Sequence, residues 1–272
     1  MSIKLGVCDQ ALPGVGIFAP RIVHELGLDG MSIEMGSDYH GYPISQPRIQ
    51  KYYLDEQQKY GIEYANISMS DLDFHPIHAM PGTYDYDFTR KMMKTAVDTA
   101  AAMKISTVMV CCFEKSLIVT DEELERAAKT LQYACDLAVE KGITIGCENS
   151  LSAERVRILF DMVGRKNIGI FYDSQNYQFD ARLDPAEELD KFYDLLIPQL
   201  HVKDGDGVKS GSLLGTGTTG FYETIKVLKK HNYQGWIISE NHYDRTPLRE
   251  LNKDYFVTLE RDFEILKKAI NW

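Results

Sequence analysis

Long apolar runs are missing from this 272-residue chain. No stretch approaches the roughly 18 consecutive apolar residues that a membrane-spanning helix needs. The first residues run directly into strand-like sequence, whereas a secretory leader begins with a charged segment and continues with an apolar one. We therefore expect a cytoplasmic protein with no membrane partner.

A paired cysteine motif is also missing. The five cysteines form an odd set without CxxC spacing, so reduced thiols are expected rather than disulfides or a zinc–sulfur site; they are Cys8, Cys111, Cys112, Cys135 and Cys147. A basic excess is absent too, since 40 acidic residues against 30 Lys and Arg give a formal charge of −10. This acidic balance argues against nucleic acid as a partner, because neutralising phosphates requires a basic surface.

What the chain does contain is a regular alternation of strand and helix patterns. Eight short apolar, β-branched runs are separated by segments of helical periodicity. Their starts lie near Ile3, Met31, Ile62, Ile105, Ile143, Ile168, Ile197 and Gly235. Since no linker or low-complexity tract interrupts them, we predict one domain over residues 1–272.

The number and spacing of these units favour one architecture. Eight units in 272 residues average 34 residues each, which predicts an α/β fold of the single (β/α)₈ TIM barrel type. An open, doubly wound sheet is the alternative, but no GxGxxG follows the first strand and no GxxxxGK[ST] occurs anywhere. In a barrel, the chemistry lies where the carboxyl ends of the strands meet.

The last four predicted strands each end in a residue able to bind a metal: Glu148, Asp173, His201 and Glu240. Three carboxylates and an imidazole at one barrel mouth would repel one another if ionised and unpaired, so a divalent cation is the natural compensation. Oxygen ligands with one nitrogen favour Mn²⁺, Mg²⁺ or Co²⁺, with Zn²⁺ as a further candidate.

At these residues the chain resembles the xylose isomerase-like superfamily of sugar isomerases and epimerases. The resemblance implies one metal ion, with Mn²⁺ expected, held by Glu148, Asp173, His201 and Glu240. It also implies that Glu148 and Glu240 act as general base and acid. The segments that carry it are Cys147–Asn149, Tyr172–Asn176, Leu200–Gly205, Leu214–Gly217 and Ser239–Asn241.

Such a set of residues suits proton abstraction beside a carbonyl. A metal on the carbonyl and hydroxyl oxygens of a ketose would stabilise the resulting enediolate. Two glutamates on opposite faces of the sugar would invert a carbon, whereas transfer to the neighbouring carbon would interconvert an aldose and a ketose. The sequence leaves the choice between epimerase and isomerase open.

Two positions depart from the free-ketose 3-epimerases of this family. Asn176 stands where many of them carry histidine. The resulting Asp-x-x-Asn pattern is more similar to the branch of the family that acts on pentulose phosphates. An arginine expected shortly after His201 is also missing, and Lys203 or Lys209 is a candidate to replace its charge. Lys203 is equally explained as a solvated lysine at a strand end.

Further candidate substrate contacts lie in the loops. Backbone N–H groups of Gly215 and Gly217 could bind a phosphate, although the same loop is also explained as a flexible connection that caps the next helix from Thr219. Glu154 matches a family position near the terminal hydroxyl of the sugar, but the helix dipole also explains a carboxylate there. Glu34 would bind a substrate hydroxyl or form a salt bridge.

The leading hypothesis is therefore a metal-dependent isomerase or epimerase of a ketose or ketose phosphate. Related alternatives are an inosose isomerase, a keto-cyclitol dehydratase and a lyase that cleaves C-glycosides. The related apurinic endonucleases need more histidines and a surface that grips DNA, and a sugar-binding barrel without turnover would not need both glutamates. Whether the chain forms a homo-oligomer stays open.

Overall fold

The structure, a computed structural model, describes residues 2–12 and 16–271. Residues 13–15, in the loop whose sequence lacks the dinucleotide-binding motif, lie outside the described residues. The strands are β1 (Lys4–Cys8), β2 (Gly30–Glu34), β3 (Glu63–Ser68), β4 (Thr107–Cys111), β5 (Thr144–Glu148), β6 (Ile168–Asp173), β7 (Leu196–Val202) and β8 (Trp236–Ser239).

Helices separate these strands along the chain. They are α1 (Ala19–Glu25), α2 (Pro47–Tyr60), α3 (Tyr84–Met103), α4 (Asp121–Ala138), α5 (Ala153–Val163), α6 (Asn176–Ala181), α7 (Pro185–Lys191), α8 (Phe221–Lys230) and α9 (Tyr255–Ala269). Sequence signals set several of their ends. Thr120 and Glu123 form a reciprocal capping box at the start of α4.

The strands form a closed barrel in chain order, from β1 to β8 and back to β1. The pairing is parallel, as in β4 with β5 and β7 with β8. The predicted α/β barrel is therefore confirmed. Its strands are rich in fully buried apolar residues, as expected when both faces of a parallel sheet are covered; examples are Val7, Ile67, Val108, Ile145, Ile170, Leu200 and Ile237.

The backbone divides into two compact units. One contains the described residues of Met1–Ser32, Tyr60–Glu63 and Tyr172–Trp272, and therefore holds β1, β7, β8 and the end of β6. The other contains Ile33–Lys59 and Tyr64–Phe171, and holds β4, β5 and most of β6. Among the helices of the described residues, none combines the length and apolar character needed to cross a bilayer.

Candidate metal centre

Three of the four predicted metal ligands meet in the first unit. Asp173 is the last residue of β6, His201 lies one residue before the end of β7, and Glu240 directly follows β8. Each offers a ligand atom within 4.8 Å of the ligand atoms of the other two, and all three side chains are buried. We call Asp173, His201 and Glu240 the ligand cluster.

Lys203 supplies a positive charge to this cluster. Its Nζ lies 2.5 Å from Oε2 of Glu240 and 3.4 Å from Oδ2 of Asp173. Ser174 holds the backbone of Lys203 from both sides, because its Oγ donates to the Lys203 carbonyl at 2.8 Å and accepts the Lys203 N–H at 3.0 Å. Lys203 is 7% exposed, so the interpretation as a solvated lysine at a strand end is wrong.

Glu240 has a lowered pKa in spite of its burial. Desolvation by itself would raise the pKa of this carboxyl, but Lys203 and His201 hold the pKa well below its ordinary value. Oε2 of Glu240 also lies 3.4 Å from Nδ1 of His201. The side chain of Gln10 donates to Oε1 at 3.2 Å, so both carboxylate oxygens have defined neighbours.

Cys8, the last residue of β1, contacts the other side of the imidazole. Its Sγ lies 3.3 Å from Nε2 of His201. Burial raises the pKa of the Cys8 thiol to about 11. The two ring nitrogens of His201 therefore face different chemical groups, a sulfur at Nε2 and a carboxylate oxygen at Nδ1.

Asp173 is fixed by the chain that follows it. Its Oδ1 accepts the backbone N–H of Gln175 at 2.8 Å and of Asn176 at 2.7 Å. These bonds turn the chain sharply at the end of β6 and start α6 at Asn176. Asn176, the predicted substrate contact, is consequently buried beside a member of the ligand cluster.

Glu148 belongs to the second unit, where it is the last residue of β5 and is 2% exposed. Its carbonyl oxygen accepts the backbone N–H of Cys112 at 2.9 Å. The following Asn149 accepts the N–H of Leu151 on its side-chain oxygen at 2.9 Å, which forms an Asx turn. The backbone on both sides of Glu148 is thus held by hydrogen bonds.

The glycine-rich loop after β7 is organised around Asp204. Oδ2 of Asp204 accepts the N–H groups of Gly215 and Gly217 at 2.8 and 3.1 Å. Oδ1 accepts the hydroxyl of Thr219 at 2.6 Å. These hydrogen bonds hold the loop in one conformation, so it is not a flexible connection. Thr219 does not cap the next helix either, because α8 begins at Phe221 and its N-cap is Gly220 in the left-handed conformation.

This arrangement changes the interpretation of the two glycines predicted to bind phosphate. Their amides do bind an anion, but that anion is the carboxylate of Asp204. Gly217 is required because a β-carbon there would lie 2.3 Å from Oδ1 of Asp204 and 2.6 Å from the backbone of Gly205. The glycines therefore have a structural reason that involves no phosphate.

A second buried carboxylate, Asp262 of α9, continues these interactions. Its Oδ2 accepts from the side chains of Asn241 at 2.7 Å and Tyr243 at 2.9 Å, and its Oδ1 accepts from Leu214 N–H at 2.7 Å. Asn241 in turn accepts the backbone N–H of Asp204 at 3.1 Å. We call Asp204, Asn241, Tyr243 and Asp262 the loop network.

The remaining predicted contacts have ordinary local partners. Oε1 of Glu34, at the end of β2, accepts the backbone N–H of Ser70 at 3.2 Å. Glu154 is exposed in the first turn of α5, which Ser152 caps, a position that the helix dipole favours for a carboxylate. Lys209 pairs with Asp180 at 2.9 Å.

Sequence reasoning missed Cys8 and Gln10 as neighbours of the cluster and Asp204 as the centre of the loop. Cys8 and Gln10 lie 193 and 230 positions from their partners, so no local pattern connects them. The end of β1 was nevertheless a usable signal, because every strand of a barrel ends at the same mouth. For Asp204, the signal was an acid placed shortly before a glycine-rich loop.

The ligand cluster has the donor set of a divalent cation site. Two carboxylates and one imidazole converge in a buried position, and two of the carboxylate oxygens already face one ammonium group. This place in the fold is therefore electrostatically suited to positive charge. Oxygen donors with one nitrogen fit Mn²⁺, Mg²⁺, Co²⁺ or Zn²⁺ better than a metal that prefers thiolates.

Known proteins are similar to this chain in sequence and fold. A 2-epi-5-epi-valiolone 7-phosphate 2-epimerase of Actinoplanes sp. is 25% identical over 84% of this chain and 83% of its own length. An inosose dehydratase of Bacillus anthracis is 26% identical, but over 48% of this chain and 51% of its own length.

Among solved structures, a D-allulose 3-epimerase from Methylomonas sp. has a TM-score of 0.76 at 18% identity and covers 98% of both chains. At that identity the likeness shows the fold alone. The family model described as xylose isomerase-like TIM barrel matches residues 20–266. The chain therefore belongs to the xylose isomerase-like TIM barrel family.

Proposed function

We propose that this protein is a divalent-metal-dependent epimerase or isomerase of a ketose or ketose phosphate. The observation that carries the proposal is the buried ligand cluster, in which Glu240 lies beside His201, Asp173 and Lys203. The relative from Actinoplanes supports it, since that protein is by name a 2-epimerase of 2-epi-5-epi-valiolone 7-phosphate and is similar over most of both chains.

Glu148 is the proposed fourth ligand. It ends β5, and β5 to β8 are consecutive strands of the closed barrel. Its side chain is buried, and it is a carboxylate at the carboxyl end of its strand, as Asp173 is at the end of β6. With Glu148 included, two glutamates, Glu148 and Glu240, are available as the general base and the general acid.

A bound divalent cation would supply electrostatic stabilisation of the negative charge that develops when the hydrogen beside the carbonyl leaves. The chain supplies the proton transfers. One glutamate, Glu148 or Glu240, removes the proton, and the other returns a proton to the opposite face when a carbon is inverted. Gln10 and Lys203 hold the two oxygens of Glu240 in place for this step.

Lys203 and Asn176 are the proposed substrate contacts next to the cluster. Both are buried beside it, and an ammonium and an amide can donate to sugar oxygens. Glu34 and Glu154 are proposed as contacts to substrate hydroxyls. The amides of Gly215 and Gly217 are left out of this set because Asp204 accepts both.

A second candidate function uses the same proton abstraction. Loss of a hydroxyl after that step would make the enzyme a dehydratase, and the Bacillus anthracis relative is by name an inosose dehydratase. This similarity covers about half of each protein, whereas the similarity to the epimerase covers more than four fifths. The epimerase or isomerase is therefore the preferred proposal.

Proton exchange in D₂O, followed by NMR, tests the proposal. The protein is incubated with Mn²⁺ and, in turn, with free ketoses, ketose phosphates and inososes. The protein and the metal are removed before the spectra are recorded. Deuterium at C3 supports a 3-epimerase, deuterium at C1 or C2 supports an isomerase, and loss of water supports the dehydratase. Full turnover by protein freed of metal with a chelator would overturn the proposed mechanism.

A further inference from the structure

The imidazole of His201 lies between two different groups. The ring has no exposed surface, its Nε2 is 3.3 Å from Sγ of Cys8, and its Nδ1 is 3.4 Å from Oε2 of Glu240. Cys8 ends β1, while Glu240 follows β8, the neighbouring strand of the same unit. The ring is therefore held between the ends of two paired strands.

A neutral imidazole has one N–H group and one nitrogen lone pair. A ring nitrogen can bind a cation through its lone pair only, so the hydrogen must then reside on the other nitrogen. Within the ligand cluster, the nitrogen that faces the Glu240 carboxylate is Nδ1. The nitrogen left to carry the hydrogen is Nε2, which faces sulfur.

We propose that Cys8 is a positioning residue that fixes the tautomer and the orientation of His201 by accepting the Nε2–H on its Sγ. The inference rests on the proposed function, because it concerns the readiness of Nδ1 to serve as a ligand. In this arrangement Cys8 is not itself a ligand. The two carboxylates of the cluster favour hard cations, whereas a thiolate favours soft ones.

Three cysteine variants test the inference by calorimetric titration of Mn²⁺ into metal-free protein. Cys8→Ala removes the acceptor, and loss of such a partner typically weakens metal affinity by roughly 10–100-fold. Cys8→Ser should restore part of the affinity, because a hydroxyl oxygen also accepts an N–H. Cys135→Ala is the matched control: Cys135 is equally buried, lies on α4 in the other unit, and should bind Mn²⁺ like wild type.

Nitrogen NMR on the protein labelled in its histidines gives a readout independent of activity. In the Zn²⁺-loaded wild type, the signal of His201 should show hydrogen on Nε2 and a ligated Nδ1. Hydrogen on Nδ1 would overturn the inference, and so would equal Mn²⁺ affinity in Cys8→Ala and Cys135→Ala. The strong ultraviolet charge-transfer absorption of a cobalt–thiolate bond in the Co²⁺-loaded protein would also overturn it, since Cys8 would then be a ligand.

The same experiments separate this inference from the proposed function. A wild-type protein that binds none of these cations would overturn both together. A wild-type protein that binds one Mn²⁺ while Cys8→Ala binds it equally well would leave the proposed function standing and overturn the role of Cys8 alone.

Discussion

The ligand cluster and the loop network bury acidic groups in the same unit but treat them differently. In the ligand cluster, the carboxylate of Glu240 faces an ammonium, an imidazole and a single amide. In the loop network, Asp204 and Asp262 are surrounded by neutral donors, which are backbone N–H groups, a threonine, an asparagine and a tyrosine.

The difference indicates what each region is built to do. A buried carboxylate that accepts a full set of neutral hydrogen bonds organises the backbone that donates them. A buried carboxylate that faces cationic groups keeps its charge at a substantial desolvation cost. Ionisable side chains with strongly shifted pKa values are concentrated at functional sites. Substitutions in the cluster should therefore affect turnover, and substitutions in the network should affect stability.

The largest expected effect is on turnover. Glu148→Gln and Glu240→Gln each remove a carboxylate proposed to transfer a proton, so the rate on the substrate identified by D₂O exchange should fall by roughly 10²–10⁴-fold. Glu264→Gln, an exposed change on α9, is the control and should retain the wild-type rate. Near-normal turnover of either cluster variant would remove the two-glutamate assignment.

The next effect is on folding. Asp204→Ala leaves the N–H groups of Gly215 and Gly217 and the hydroxyl of Thr219 without their acceptor, so the free energy of unfolding should fall by about 3 kcal/mol. Asp204→Asn keeps one acceptor oxygen and should lose less. Urea unfolding measures both against Asp206→Ala, an exposed neighbour; equal stability of the two alanine variants would contradict the role given to Asp204.

The smallest effect concerns pH. Burial raises the pKa of Asp262 from its ordinary value of 3.8 to about 6, so the folded chain retains a proton that the unfolded chain releases at lower pH. The contribution of Asp262 to the free energy of unfolding therefore falls as pH rises from about 4 to about 6, by on the order of 2–3 kcal/mol. In urea unfolding across this range, Asp262→Asn should lack that decline. Parallel curves for wild type and variant would show that Asp262 is not its source.

The fold and the strand-end residues were predictable because both follow from simple periodicities. The eight apolar runs locate the strands, and an acid or histidine at the end of a run must lie at the barrel mouth. This reasoning identified Asp173, His201 and Glu240 before any distance was known. It needed only the register of each strand, which the hydrophobic pattern specifies.

The environment of these residues was harder to predict. Whether Lys203 points to solvent or towards Glu240 depends on side-chain conformation, which periodicity does not specify. The amides of the glycine-rich loop were predicted to bind a phosphate, but a carboxylate attracts the same N–H donors, and Asp204 accepts both amides. The sequence pattern does not show that the Asp204 side chain turns back towards the loop, so it could not distinguish this carboxylate from a substrate phosphate.

The close approach at Gly217 also affects how this loop can be redesigned. Position 217 is closed to every side chain by the Asp204 carboxylate and the Gly205 backbone, whereas Thr216 and Thr218 on either side are exposed. A library that randomises positions 216 and 218 and retains Gly217 would vary the outer face of the loop without detaching it from Asp204. Gly217 is thus the fixed position of this segment, and its two threonine neighbours are the positions open to change.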